Sequence, residues 1–286
     1  MKINIAQHEF PYILNSEYFF VLSDYPRVSL WEMKKFFAFV AYEKRHGRET
    51  EIVCEDDIVL EAIERASAHP KTFKDVHPPA KITECTACKH GGCLTEFVCH
   101  TATIDNAKKI LAGGRLLSAV KAFNRSGSEL VADKRNAAGD PADYFDYIMF
   151  AWGNCQAGDR LVMERTLGRF PNEDDTSKNF SPGARFYIRY REIVGCPGYV
   201  DDGSHPAKVR DELVLDDHLY ACVIPERHRI EFENFIQPEL MGRVHFLPQN
   251  GLGIWDWSKT VYSYIENLSI NGGRNEQFHD QTGAGK

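Results

Sequence analysis

The period of apolar and polar positions changes several times along the chain, and those changes divide it. Glu17-Tyr18-Phe19-Phe20-Val21-Leu22 is a short apolar run closed by Ser23-Asp24-Tyr25-Pro26, which predicts a strand and a turn. Ser29-Leu30-Trp31-Glu32 has the form of a capping box, and behind it Met33, Phe36, Phe37, Val40 and Ala41 form one helical stripe. A second helix is predicted from Asp56-Asp57 to Ala68, with acidic residues at its favourable end. Pro70 to Lys81 interrupts the pattern as a loop. Phe97-Val98-Cys99-His100-Thr101-Ala102 then reads as a strand ending in polar residues. Thr103 caps a helix whose inner face carries Ile104, Ala107 and Leu111, and Gly113 stops it.

Beyond this point, Leu116 to Val120 is extended, Asn124 to Gly139 is loop-like, and Tyr144 to Gly153 reads as a strand approached by a tight turn. Arg185 to Tyr190 alternates as a strand, after a polar loop from Phe170 to Pro182. Gly195 to Lys208, with its glycines and prolines, is a loop. Leu213-Val214-Leu215 and Leu219 to Ile224 are short strands split by Asp216-Asp217-His218. Pro225 opens a helix through Leu240, Arg243 to Leu247 is a strand, and Ile254 to Leu268 is a final helix. The division that follows is an N-terminal extension over 1–80, a cysteine-rich connector over 81–96, a mixed α+β domain over 97–268 and a polar, flexible tail over 269–286.

Composition narrows the class. The 286 residues are 43% hydrophobic and 26% charged, as in ordinary globular proteins. No apolar run approaches the ~20 residues of a membrane span, and Met1 to His8 lacks the apolar core of a signal peptide, so a cytoplasmic protein without a membrane partner is expected. The net charge of −7 excludes a generally nucleic-acid-adhesive surface. Between Asn106 and Gly139, however, Lys108, Lys109, Arg115, Lys121, Arg125, Lys134 and Arg135 face only Glu129 and Asp133. A basic segment inside an acidic chain suits a phosphate-bearing ligand or is simply a solvated surface.

Four of the eight cysteines, Cys85, Cys88, Cys93 and Cys99, fall close together. Without a secretion signal a disulfide framework is not expected. The Cys-x-x-Cys turn can bring two thiolates to one tetrahedral zinc ion, with Cys93 as a third ligand and Cys99, His90 or Cys54 as the fourth; reduced free thiols or a redox pair are the other readings. The remaining chemistry is carried by His100-Thr101, a donor–acceptor pair at a strand end, and by Glu212, a carboxylate opening an apolar strand. Arg135 could clamp a pyrophosphate bidentately. There is no G-x-x-x-x-G-K-[ST] loop, G-x-G-x-x-G fingerprint, H-E-x-x-H pair or G-x-S-x-G elbow.

The order of these pieces resembles the ADP-ribosyltransferase fold, in particular the DarT-type DNA ADP-ribosyltransferases of bacterial toxin–antitoxin systems. The resemblance is carried by His100-Thr101, by Asn106-Ala107-Lys108-Lys109-Ile110-Leu111-Ala112-Gly113-Gly114 with Leu116-Leu117-Ser118, by Arg135 with Asp146-Tyr147-Ile148-Met149-Phe150, and by Glu212-Leu213-Val214. It covers about residues 97–225. It implies an α+β fold of split mixed and antiparallel sheets with flanking helices, behind a small α-rich extension. It also implies NAD as co-substrate, transfer of ADP-ribose to a nucleic acid such as a single-stranded DNA base, and an antitoxin protein partner. Glu212 and Arg135 would be catalytic, while His100, Thr101, Asn106, Ser118 and Tyr147 would bind NAD. The extension and the long stretch from Phe150 to Glu212 depart from the family's pattern. Alternatives are an RNA 2′-phosphotransferase-like member of the same fold and a zinc-stabilised nucleic-acid- or protein-binding adaptor.

Overall fold

The computed structural model describes residues 1–6, 12–14, 16–78, 95–133 and 140–279, the last nine of these and 12–14 as backbone only. Two sheets organise them. The first contains β1 (Lys2–Ile5), β2 (Tyr12–Leu14), β3 (Glu17–Phe20) and β4 (Glu51–Val53) in the order β2-β3-β1-β4. Helices α1 (Leu30–Arg45) and α2 (Asp57–Ser67) accompany it. The capping box forms: Ser29 Oγ accepts from Glu32 N at 3.2 Å, and the Glu32 carboxylate accepts from Ser29 N at 2.8 Å. Ile3, Ile5, Tyr18, Phe20, Met33, Phe36 and Phe39 make this unit's core.

The stripe predicted for α1 is corrected at its C-terminal end. Ala41 is exposed, whereas Phe39 and Tyr42 are fully buried. The reason is that α1 is covered twice, by its own sheet and by the larger unit, so a one-sided stripe does not describe it.

The larger unit contains β5 (Phe97–Ala102), α3 (Ile104–Gly113), β6 (Arg115–Leu117), α4 (Ala119–Phe123), α5 (Gly127–Val131), β7 (Tyr147–Trp152), α6 (Ala157–Leu167), α7 (Glu173–Thr176) and β8 (Ala184–Arg189). It continues with α8 (Tyr190–Val194), β9 (Tyr199–Val200), β10 (Ala207–Arg210), β11 (Glu212–Val214), α9 (Leu215–His218), β12 (Ala221–Pro225), α10 (Arg229–Phe232), β13 (Val244–Leu247) and α11 (Ile254–His279). Seven strands form one mixed sheet, β13-β12-β8-β5-β7-β10-β9, in which only β12 and β13 run parallel. β6 and β11 form a separate antiparallel ribbon.

Strand alternation gives the sheet two apolar faces. Phe97, Cys99, Tyr187 and Val223 pack against Ile254, Trp257 and Val261 of α11. Val98, Ala102, Phe186 and Cys222 pack with Ala107 and Leu111 of α3, Ile193 of α8 and Phe232 of α10. Burial of such side chains, at about 1.5–3 kcal/mol each, is the principal stabilising contribution. Arg185 is also fully buried, held by Asp159 Oδ2 at 3.1 Å, Tyr187 Oη at 3.0 Å and the Cys155 carbonyl at 2.9 Å.

Several predicted elements change. Pro225 closes β12 rather than opening a helix to Leu240, and only α10 and two 3-10 turns occupy that stretch. The strand predicted from Tyr144 begins at Tyr147, behind a 3-10 turn over Ala142–Asp146. The extended run ends at Leu117 because Ser118 caps α4, its Oγ accepting from Lys121 N. α11 continues past Leu268 into the stretch read as a tail. No helix among the described residues is long and apolar enough to cross a membrane.

Candidate functional site

β5 and β7 part company halfway along their length. Their ladder holds only Val98↔Trp152 and Cys99↔Ala151, extended by Gly153 N donating to Phe97 O at 2.9 Å. From His100 on β5 and Phe150 on β7, no further pair joins them among the described residues. β5 goes on pairing with β8 as far as Ala102, while β7 goes on pairing with β10 as far as Tyr147. The sheet therefore splits.

His100 sits at the apex of the split. Its Nδ1 lies 3.1 Å from the Met149 carbonyl, an acceptor freed by the end of the ladder, which makes Nδ1–H the donor. The imidazole is half-buried there. Burial lowers its pKa, opposed by the hydrogen bond to Met149 and assisted by the positive charge of Arg165 on α6. Thr101 is also half-buried, with Gly158 of α6 packed so closely that a Cβ there would strike its hydroxyl. Asn106 lies in the first turn of α3, where its N–H donates to the capping Thr103 Oγ1 at 3.3 Å.

The opposite end of β7 leads to Glu212. Asp211 N donates to Asp146 O at 3.0 Å, and Ser118 N donates to Asp211 O at 2.8 Å. Asp211 itself has φ of +63°, a left-handed conformation that turns the chain out of β10 and into β11. Glu212 emerges from this turn on the open face of the β6–β11 ribbon, 3.3 Å from Arg115 Nη1, with both side chains about half exposed. Leu117, directly opposite Glu212, and Val214 are exposed on the same face, whereas Leu213 and Leu116 between them are buried. Met149, which holds His100, lies in β7, and Asp146, which holds Asp211, is three residues earlier, at the end of the 3-10 turn that leads into that strand.

Other predicted residues stand differently. Ser118 is buried and engaged as the cap of α4. Tyr147 is buried, its ring at 6.4 Å and 62° to that of Tyr42 from the N-terminal unit, so the fold gives this face to the contact between units. Arg135 lies outside the described residues, as do Cys85, Cys88 and Cys93. Cys99 lies in the core under α11, on the strand face opposite His100, and burial pushes its thiol up to about 12. Those surroundings favour the protonated thiol in the absence of a metal ion. Among the described residues no group of three His, Cys, Asp or Glu side chains is placed to hold a metal ion.

Comparison with protein-family models, with curated proteins and with solved structures gives no significant match. The site must be read from its own geometry.

That geometry adds residues absent from the sequence reading. Arg165 is charged in the neighbourhood of both His100 and Asp140. Asp140, at the end of the basic segment, is largely desolvated, which raises its pKa against the nearby His205, Lys208 and Arg165. An open cavity of about 490 Å³ lies beside it, with Arg48, Ser128 and Val131 among its walls. No motif marks these residues in the sequence, because they come from separate segments that meet only in the fold.

Proposed function

We propose that the chain is an NAD-dependent ADP-ribosyltransferase acting on a nucleic acid. The observation that carries this reading is the span of β7: one strand joins the His100 imidazole, at the apex of a split sheet, to the turn that presents the Glu212 carboxylate. When bound, NAD supplies an ADP-ribosyl group on cleavage of its nicotinamide–ribose bond. His100 Nε2, the ring acceptor once Nδ1–H donates to the Met149 carbonyl, suits a ribose hydroxyl. Thr101 points to the opposite face of β5, its Oγ1 3.9 Å from Cys99 Sγ and against Gly158, so its assignment rests on the resemblance alone. Arg115 Nη1 lies 3.3 Å from the Glu212 carboxylate on the open ribbon face, where a carboxylate stabilises positive charge developing on the ribose and accepts the proton lost by the acceptor. Arg135 is assigned to the pyrophosphate on its order in the sequence alone. The basic segment and the exposed ring of Phe123 suit a stacked, phosphate-bearing acceptor.

The test is incubation of the full chain with NAD labelled in its adenylate and a pool of single-stranded DNA and RNA oligonucleotides. Label should enter nucleic acid with release of nicotinamide. Glu212→Gln, which is half exposed and leaves the fold intact, should lower transfer by about 10²-fold or more. A wild-type chain that neither labels nucleic acid nor releases nicotinamide overturns the proposal.

A further inference from the structure

The N-terminal unit is fastened to one wall of the split through a buried ammonium. Lys208 on β10 has no exposed surface, and its Nζ lies 2.7 Å from Asp202 Oδ2. The contact is an ion pair rather than an aligned hydrogen bond, and the rest of the ammonium faces aromatic rings. Nζ is 3.1 Å from the centroid of Tyr144, 4.7 Å from that of Tyr42 and 5.6 Å from that of Tyr147. A cation stripped of water is tolerated only where a carboxylate and π faces replace its hydration.

Those rings come from three separate segments: α1, the 3-10 turn before β7, and β7 itself. Asp202 in turn shapes the loop ahead of β10, accepting from Ser204 N at 3.0 Å and His205 N at 2.8 Å. The N-terminal unit grips that loop. Lys35 Nζ donates to Asp201 Oδ1 at 3.1 Å and to the His205 carbonyl at 2.8 Å, and Tyr18 Oη donates to the Gly203 carbonyl at 3.3 Å. Gly203 has φ of +73° and meets the α1 backbone at Lys35 and Phe39, where any Cβ would collide. Finally, Lys208 stands directly opposite Met149, the residue whose carbonyl orients His100.

We propose that Lys208 is a positioning residue for the split. By gathering Tyr42, Tyr144 and Tyr147 around one charge, it makes the N-terminal unit part of the site's wall and fixes the Met149 carbonyl on which His100 is oriented. Its consequence for turnover rests on the proposed transferase reading; its consequence for His100 does not.

The experiment uses the full chain labelled with ¹⁵N-histidine, with the His100 Nδ1 signal assigned by its loss in His100→Gln. Two variants are compared, Lys208→Met and the double variant Lys208→Met/Asp202→Asn. Removing both charges avoids the unpaired buried carboxylate, so the double variant should recover most of the thermal stability the single variant loses. In both, the His100 Nδ1 signal should shift or broaden. NAD turnover should fall about 10-fold or more in kcat, with a smaller change in KM. A double variant with the wild-type His100 signal overturns the proposal, because Lys208 would then serve stability alone. If the wild-type chain does not cleave NAD, the transferase reading fails, and the His100 signal still decides the role of Lys208.

Discussion

Asp211 shows how far one residue can set the aim of another. Its φ of +63° immediately precedes Glu212, and both of its backbone polar groups are engaged, to Asp146 and Ser118. A short polar side chain tolerates the left-handed region at modest cost, whereas a β-branched one does not. Asp211→Gly should therefore leave stability unchanged or raise it slightly, while Asp211→Val should cost about 1–3 kcal/mol in urea denaturation. If the transferase reading holds, Asp211→Val should also depress transfer by turning Glu212 away. The sequence marks Asp211-Glu212 as a carboxylate pair opening a strand, and that position is legible. The backbone twist is not, because an aspartate adopts either sign of φ according to its hydrogen-bond partners. Lys208 is illegible for a related reason. It lies at the end of a stretch that reads as a polar loop, and its burial depends on Tyr42 arriving from a distant helix.

Elements defined by local chemistry were the readable ones. Ser29, Asp56 and Thr103 each cap the helix they open, through bonds between residues three positions apart or fewer. The helix expected from Pro225 to Leu240 failed because Pro238 lies inside it: proline has no N–H for the i−4 bond, and Gln237 before it is extended at φ −62° and ψ 145°. The point at which β5 and β7 separate was not legible in the sequence, since apolar alternation does not specify where a ladder stops. The end of α3, which sets the entry into the Glu212 ribbon, offers a paired test. Gly113 is helical with open space around it, whereas Gly114 has φ of +62° and lies against the side chain of Gln237. Gly113→Ala should stabilise by about 0.5–1 kcal/mol. Gly114→Ala should cost about 1 kcal/mol or more, since a Cβ in the left-handed region is strained and Gln237, which donates to the Ala112 carbonyl at 2.9 Å, must move. Urea midpoints of the two variants, measured side by side, should lie on opposite sides of the wild type.

At the scale of the whole molecule, two buried or half-buried carboxylates, Asp202 and Asp143, lie where the N-terminal unit meets the large sheet. Burial alone would raise the pKa of Asp202, but the charges of Lys208 and His205 hold it well below the usual carboxylate range. Asp143 is likewise lowered against its burial, by hydrogen bonds from Arg48 at 2.5 Å and from Tyr42 Oη at 2.6 Å. A carboxylate whose folded pKa lies below its unfolded value of 3.8 contributes stability that is fully present above 3.8. That contribution is lost as pH falls from there through the folded values. The part of the unfolding free energy that comes from these two carboxylates should accordingly be flat from neutrality to about pH 5 and then decline towards pH 2.5, on top of a decline that begins below pH 6.5 because His100 and His245 have lowered values in the fold. The exposed pairs at Glu226 and Glu231 also have lowered carboxylates and would add to the decline at low ionic strength, so the measurement belongs in high salt, which screens surface pairs far more than buried ones. Asp143→Asn should lose about 1.5–3 kcal/mol at pH 7, from charged hydrogen bonds to Arg48 and Tyr42, and should show a shallower acid slope than the wild type. An unchanged slope would mean that the contact between the units does not depend on this carboxylate. It would also make α1 a passive cover over β7 rather than a part of the wall that carries His100.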